Sequence, residues 1–176
     1  MSKAEFLRRY EACPELKQAA HTPGVQATTN TTIRLEGDNE PRLDVLLRLD
    51  EGHGGQTRIE GKFLVGPPEV VAEVSSTITH HDLHDKFDLF EEIGVREYLV
   101  WRVWDAAIDW FVLAENGTYD RLSIDENGLF KSLVLPGLWL DSAAMVRGDM
   151  KRVLEALNQG IQSDEHRTFV QQPRAT

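Results

Sequence analysis

The stretch from Pro67 to Ser75 reads PPEVVAEVS, and it decides the fold of the chain. Two prolines break the preceding loop, and the valine- and alanine-rich run behind them predicts a buried strand. Side chains alternate between the two faces of a strand, so Glu73 shares a face with Val71. A carboxylate is an unusual occupant of an aliphatic strand. Glu73 is therefore the first candidate for a functional residue.

A helix and another strand follow this segment. Residues 80–93, HHDLHDKFDLFEEI, predict a helix that ends at Gly94, because glycine is the favoured residue just past a helix C-terminus. The box from Thr79 to Asp82 is typical of a helix N-terminus. Residues 97–104, EYLVWRVW, predict a strand after a very short turn. We expect the helix to pack across a central sheet.

Lys86 lies near the middle of the apolar arc of this predicted helix. At 100° per residue, five side chains form the arc: Leu83, Phe87, Leu89, Phe90 and Ile93. A lysine in that place is costly unless its stem lies along the sheet and its ammonium meets an anion. Asp82, one turn earlier, is a candidate partner, and its place near the helix N-terminus suits a carboxylate.

Two further strands are predicted upstream, at residues 25–35 and 43–49. In the second, LDVLLRL, Asp44 interrupts a leucine-rich row and points away from Leu43. If this strand lies next to that of Glu73, both acids can converge on one face. Carboxylate oxygens about 4 Å apart repel unless a cation lies between them. Mg²⁺ is the natural candidate, because it takes one or two carboxylates and fills its other positions with water and phosphate oxygens.

After residue 104 the pattern changes to hairpins and a final helix. Strands are predicted at 108–113, 119–123 and 129–134, with turns at Asn116-Gly117 and Asn127-Gly128. Asp141 predicts the start of a helix that reaches about Gly160, and residues 171–176 predict a loose tail. The sequence thus predicts a single domain over residues 1–170. Its class is mixed α/β, with a central mixed sheet flanked by helices and extended by C-terminal hairpins.

Composition narrows the classes of function. The net charge of −10 argues against a general nucleic-acid coat or an anionic-membrane binder, since both need a basic surface. An enzyme that meets phosphates locally stays compatible, because a bound cation offsets the charge of its carboxylates. The 176 residues contain no run of about 18 apolar residues, so no membrane span is expected. Cys13 is the single cysteine, which excludes an intramolecular disulfide and favours a cytoplasmic location.

The chain resembles the Uma2 family over roughly residues 30–160. The matching stretches are EPRLD at 40–44, the strand at 67–75, DLHDK at 82–86, GVREYLV at 94–100 and LPGLWLD at 135–141. Uma2 proteins are assigned as endonucleases with a restriction-endonuclease-like core of the PD-(D/E)XK type. The resemblance therefore implies that fold and hydrolysis of phosphodiester bonds in nucleic acid, with DNA as the expected substrate.

The same resemblance implies a role for three residues. Asp44 matches the aspartate of the motif and Glu73 its second acid, and both would bind Mg²⁺ or Mn²⁺. The usual nuclease lysine lies two residues after that acid, where this chain has Ser75. The family places the lysine on the next helix, and Lys86 matches it there. Lys86 would thus be the catalytic partner of the two acids.

Two features depart from the family pattern. The proline expected just before the aspartate is Leu43, although Pro41 stands nearby. Family members also carry a longer N-terminal region before the strand at 25–35. A shortened region would expose a sheet edge and favour a homodimer.

Two other classes of function stay open on the sequence alone. One is a catalytically inactive, nuclease-like domain that serves as an interaction module, which the acidic charge and the short N-terminal region favour. The other is a zinc hydrolase built on His80 and His84, which are spaced i,i+4 but lack a third ligand and an HExxH pattern. Glu40 is a weaker candidate for an outer-shell or second-metal contact.

Overall fold

The computed structural model describes residues 22–35, 40–75 and 80–171. Cys13, Thr79 and the tail 172–176 lie outside the described residues, as do the side chains of 80–83. The expected capping box at Thr79 and the expected contact between Asp82 and Lys86 therefore stay predictions. Within the described residues, no helix is long and apolar enough to cross a membrane.

Among the described residues, eight strands form one mixed sheet in the order β3-β4-β1-β2-β5-β6-β7-β8. They are β1 (Val25–Arg34), β2 (Arg42–Leu49), β3 (Arg58–Glu60), β4 (Phe63–Val65), β5 (Val70–Ser75), β6 (Glu97–Arg102), β7 (Ala107–Leu113) and β8 (Tyr119–Arg121). Two more strands, β9 (Leu129–Lys131) and β10 (Trp139–Asp141), form a separate pair. The helices are α1 (His80–Ile93), α2 (Ser142–Arg147), α3 (Met150–Ile161) and α4 (Asp164–Gln171).

The unit β5-α1-β6 lies at the centre of the fold. β5 and β6 are parallel, with Val71 paired to Tyr98 and Glu73 to Val100, so a crossover must join them, and α1 is that crossover. The helix-side core contains Val71, Phe90, Tyr98 and Val100, all of them buried. The predicted central sheet with a helix packed across it is confirmed.

The opposite face of the sheet is covered by the C-terminal segment. Trp101 and Trp110 pack there with Phe130 of β9, and Met145 of α2 joins the same cluster. An apolar cavity of about 210 Å³ lies on this side, lined in part by Leu47, Leu99 and Trp110 and by residues of α3 and α4. Its lining is almost wholly apolar, although it also includes Glu73, so it offers little to a phosphate.

The predicted C-terminal helix from Asp141 to Gly160 is wrong in one respect, because it is two helices. Asp141 does cap the first, accepting from the N–H of Ala144 at 2.8 Å. Gly148 then adopts a φ of 77°, in the left-handed region, which ends α2. Asp149 caps α3 by accepting from the N–H of Arg152. The glycine ends the first helix and the aspartate caps the start of the second, so this pair of residues interrupts a continuous helix.

Other boundaries also differ from the predicted ones. The expected hairpin between 119–123 and 129–134 is wrong: β9 pairs with β10, because the turn at Pro136-Gly137 brings Trp139 back opposite Lys131. The hairpin β3–β4 and the helix α4 were not predicted. Each strand of the hairpin has only three residues, and β3 and α4 are polar and largely exposed.

Candidate active site

The three residues singled out by the sequence lie on adjacent elements at one end of the sheet. Asp44 is on β2, Glu73 on the neighbouring β5, and Lys86 on α1, the helix that leaves β5. The antiparallel ladder between β2 and β5 pairs Val45 with Ala72 as its last step on this side. Beyond that pair the two strands are joined by carboxylates instead of by their own backbones.

The two acids are bound reciprocally where the ladder stops. The backbone N–H of Asp44 donates to Glu73 Oε1 at 3.3 Å, and the N–H of Val74 donates to Asp44 Oδ2 at 3.0 Å. Asp44 and Glu73 are only 5% and 4% exposed. Each carboxylate therefore satisfies a backbone donor of the other strand, which holds both acids in one small volume.

Lys86 reaches this volume from the helix. Its Nζ lies 2.6 Å from Glu73 Oε2, and its side chain remains 39% exposed while that of Glu73 is 5% exposed. The stem of the lysine thus crosses the apolar helix surface, and its ammonium meets an anion at the rim. The contact gives the lysine the anionic partner that its position on the apolar arc requires.

Burial dominates the electrostatics of Glu73. Desolvation raises the pKa of its carboxyl above the usual value, and the nearby charge of Asp44 raises it further. The hydrogen bond and the positive charge of Lys86 act in the opposite direction and lower the same pKa. Glu73 is a buried acid whose charge is costly without a cation, and Lys86 supplies only part of the compensation.

A model of the Uma2 family, described as "Putative restriction endonuclease", matches residues 10–143. The chain belongs to the Uma2 family. A search of curated proteins gives no match. Among solved structures, the chain is similar to a crystal structure titled as a putative nuclease belonging to DUF820 from Anabaena variabilis ATCC 29413. That similarity has a TM-score of 0.53 at 10% sequence identity and covers 83% of each chain, so it shows a shared fold.

The donor set of this Uma2 protein fits a small, hard divalent cation. Two carboxylates converge on one volume, and Mg²⁺ needs no more than one or two carboxylates when water and phosphate oxygens complete its shell. In the described parts of the chain, no group of three or more His, Cys, Asp or Glu side chains is placed to hold an ion. The set is therefore too small for a structural zinc site, but it suits Mg²⁺ or Mn²⁺.

Glu40 and Ser75, two other candidates from the sequence, contact Arg34 and Val103. Glu40 is ion-paired at 2.9 Å with Arg34, and both side chains are about two-fifths exposed. Ser75, at the usual lysine position, is the last residue of β5, and its carbonyl accepts from the N–H of Val103. The side chain of His80 lies outside the described residues, so the zinc hypothesis based on His80 and His84 stays untested.

Asn30 marks a distortion that the sequence did not predict. It lies between Thr29 and Thr31, which pair with Val45 and Leu43, so it is opposite Asp44 in the β1–β2 register. Its φ of 51 is in the left-handed region, which asparagine tolerates better than most residues. The chain departs from regular strand geometry on both sides of Asp44. An asparagine among the threonines of β1 was the available signal.

Two other buried carboxylates in this Uma2 chain have structural roles. Glu69 is fully buried and accepts from the N–H groups of Leu49 and Gln56 at 2.6 and 2.9 Å. Glu97 is also fully buried and accepts four hydrogen bonds: from Trp110 Nε1, Ser132 Oγ, Leu133 N and Val134 N. The donors named here are backbone N–H groups, an indole N–H and a hydroxyl, all of them uncharged. Glu73 differs from these two acids in its ion pair with Lys86.

Proposed function

We propose that this Uma2 protein is a divalent-metal-dependent endonuclease that hydrolyses phosphodiester bonds in DNA. Asp44 and Glu73 bind Mg²⁺ or Mn²⁺, and Lys86 is their catalytic partner. The observation that carries the proposal is the contact of 2.6 Å between Lys86 Nζ and the buried Glu73, at the point where β2 and β5 part. The family description and the shared nuclease-type fold support it.

The two acids orient the reacting groups. When bound, the cation supplies positive charge to the scissile phosphate and lowers the pKa of a coordinated water. Asp44 keeps Oδ2 on the N–H of Val74, and Glu73 keeps Oε1 on the N–H of Asp44, so backbone contacts fix both carboxylates. Such fixed donors and acceptors need little reorganisation during the reaction.

Lys86 acts on the phosphate side of the site. Its ammonium contacts Glu73, and 39% of its side chain is exposed to solvent. A lysine placed in this way can move part of its hydrogen bonding from the carboxylate to a phosphate oxygen. It thereby stabilises negative charge that develops on the phosphorane, or it orients the attacking water.

The acidic charge of the chain restricts the mode of DNA binding. A net charge of −10 gives little nonspecific attraction for a polyanion. Attraction must therefore come from the site itself, where the cation and Lys86 concentrate positive charge. We expect weak, salt-sensitive binding to DNA that depends on the metal.

The test is cleavage of supercoiled plasmid in Mg²⁺ or Mn²⁺ by the wild type and by Asp44→Ala, Glu73→Ala and Lys86→Ala. Metal-dependent nicking that is lost in all three variants is the expected result. Lys151→Ala is the matched control, since that lysine is 88% exposed and paired only with Glu155 one helical turn away. Nicking that persists in all three variants would assign the activity to another site or to a contaminant.

The second candidate is an inactive nuclease-like domain that acts as an interaction module. The acidic charge of the chain favours it. Linkage separates the two functions, because a ligand that binds only the folded state raises the free energy of unfolding. A live site gains stability from Mn²⁺ that is lost in Asp44→Ala, whereas an interaction module without the ion gains none.

A further inference from the structure

Tyr98 lies beside the two acids on the helix-side face of the sheet. β5 and β6 are parallel, with Val71 paired to Tyr98 and Glu73 paired to Val100. Since side chains alternate, Val71, Glu73, Tyr98 and Val100 share this face. The ring of Tyr98 packs 5.0 Å from Phe90 and 6.5 Å from Phe87, the residue that follows Lys86 on α1. Tyr98 is thus held between the strand of Glu73 and the helix of Lys86.

The hydroxyl of Tyr98 is buried without an acceptor. The side chain is 1% exposed, and its Oη has no hydrogen-bond partner in the described part of the protein. A buried hydroxyl that makes no hydrogen bond is destabilising, because it has lost its contacts with water and gained none in the protein. Native proteins rarely accept that cost, and the exceptions concentrate where a water, an ion or a ligand completes the bonding.

A second tyrosine in the same aromatic cluster shows the ordinary structural solution. Tyr119 is 6.3 Å from Tyr98 between ring centroids, and its hydroxyl donates to the carbonyl of Val95 at 2.7 Å. The cluster therefore offers a backbone acceptor to one tyrosine and none to the other. Packing alone explains the ring of Tyr98 but leaves its hydroxyl unexplained, because phenylalanine would fill the same space.

The surroundings of Tyr98 favour the protonated form of its hydroxyl, which can donate a hydrogen bond. Burial raises the pKa of its hydroxyl far above the usual value, and the negative charges of Glu73 and Asp44 raise it further. The protonated hydroxyl is a hydrogen-bond donor that needs an oxygen acceptor. Two of the charges that act on it belong to Glu73 and Asp44 of the candidate site.

We propose that Tyr98 is a positioning residue of this site, and the inference rests on the proposed nuclease function. Its hydroxyl donates a hydrogen bond to the oxygen that occupies the site together with the cation. That oxygen belongs to a water held beside Asp44 and Glu73. A buried water needs two to four polar partners, and Tyr98, Asp44 and Glu73 supply them.

The experiment compares Tyr98→Phe with its matched control Tyr119→Phe. Three quantities are measured on the purified full chain: stability in urea without metal, Mn²⁺ affinity by calorimetry, and the rate of plasmid nicking. Tyr98→Phe should bind Mn²⁺ about tenfold or more weakly. Losses of this size follow when a group that hydrogen-bonds to the ligands of a metal ion is removed. It should nick more slowly and should keep its stability, since no hydrogen bond to another protein group is lost. Tyr119→Phe should lose stability and keep the wild-type Mn²⁺ affinity.

The outcomes separate this inference from the proposed function. If the wild type binds Mn²⁺ and cuts DNA while Tyr98→Phe does both equally well, the role of Tyr98 is refuted and the nuclease stands. If Tyr98→Phe loses as much stability as Tyr119→Phe and keeps its Mn²⁺ affinity, Tyr98 is a structural residue only. If the wild type neither binds Mn²⁺ nor cuts, both the inference and the proposed function fail.

Discussion

Replacing Lys86 by methionine should destabilise the metal-free protein in a way that depends on pH. Methionine keeps the helix propensity and most of the apolar stem, so the substitution removes chiefly the ammonium. Glu73 then loses the hydrogen bond and the positive charge that lower its pKa, while burial and Asp44 continue to raise it. The buried carboxylate has to remain charged without its partner or take up a proton.

The magnitude follows from how open the pair is. Removing one partner of a fully buried ion pair costs about 3–5 kcal/mol, whereas exposed pairs contribute about 0–1 kcal/mol. Glu73 is 5% exposed, but Lys86 is 39% exposed, so water already reaches one side of the pair. We therefore expect Lys86→Met to lose about 2 kcal/mol at pH 8, between these limits.

The sign of the pH dependence follows from the raised pKa of Glu73. A carboxyl whose pKa is raised by folding contributes its full stability below the ordinary value of 4.5, where both states are protonated. That stability is lost as the pH rises through the folded-state pKa. In the wild type Lys86 offsets part of the loss, so the gap between wild type and variant should be small at pH 4 and should widen toward pH 8.

Urea unfolding at a series of pH values, with chelator present, measures this gap. Lys151→Met is the control, with an expected change within about 0.5 kcal/mol because that lysine is 88% exposed. The double variant Glu73→Gln/Lys86→Met should be more stable than Lys86→Met at pH 8, since a neutral amide replaces the buried carboxylate that has lost its lysine. A gap that stays constant between pH 4 and pH 8, or a Lys86→Met variant as stable as the wild type at pH 8, would refute the reasoning.

Three further substitutions test the framework around the site by urea unfolding. Glu97→Gln should cost about 1–3 kcal/mol, because an amide cannot accept from all four donors that surround Glu97; an unchanged midpoint would contradict the structural role of this acid. Asn30→Ala should cost about 1 kcal/mol while Asn30→Gly is tolerated, since φ is 51 at this residue; equal losses would speak against backbone strain. Gly160→Ala should cost about 1–3 kcal/mol, because its Cβ would lie 2.2 Å from the carbonyl oxygen of Gly137; wild-type stability would show that α3 can shift away.

Much of the site could be predicted because its charged residues stand at apolar positions of a strand and a helix. Glu73 in an aliphatic strand and Lys86 on an apolar helical arc are both costly alone, and the structure places them 2.6 Å apart. The sequence left open whether β2 and β5 are neighbours, and the structure places them side by side. The sequence could not show that the ladder stops at Val45 and Ala72, since that depends on tertiary packing.

Other features depend on contacts between distant segments. Glu97 is as buried as any residue in the chain, yet its burial comes from the loop at 132–134, about 35 residues away. The strand pattern of residues 97–104 therefore could not distinguish its structural role from a catalytic one. Tyr98 was missed for a similar reason, because a tyrosine in a strand is ordinary until its hydroxyl is seen to lack an acceptor. The split at Gly148 and Asp149, by contrast, was readable from the pair of residues alone.

The most direct test of the central claim is a calorimetric titration of Mn²⁺ into the wild type and into Asp44→Asn. Asparagine keeps the size of the side chain and an oxygen that can accept from the N–H of Val74, so the fold should be retained while one negative charge is lost. We predict that the wild type binds Mn²⁺ and that Asp44→Asn does not bind it measurably. Equal binding by both proteins, or no binding by the folded wild type, would contradict the assignment of Asp44 and Glu73 as a metal site.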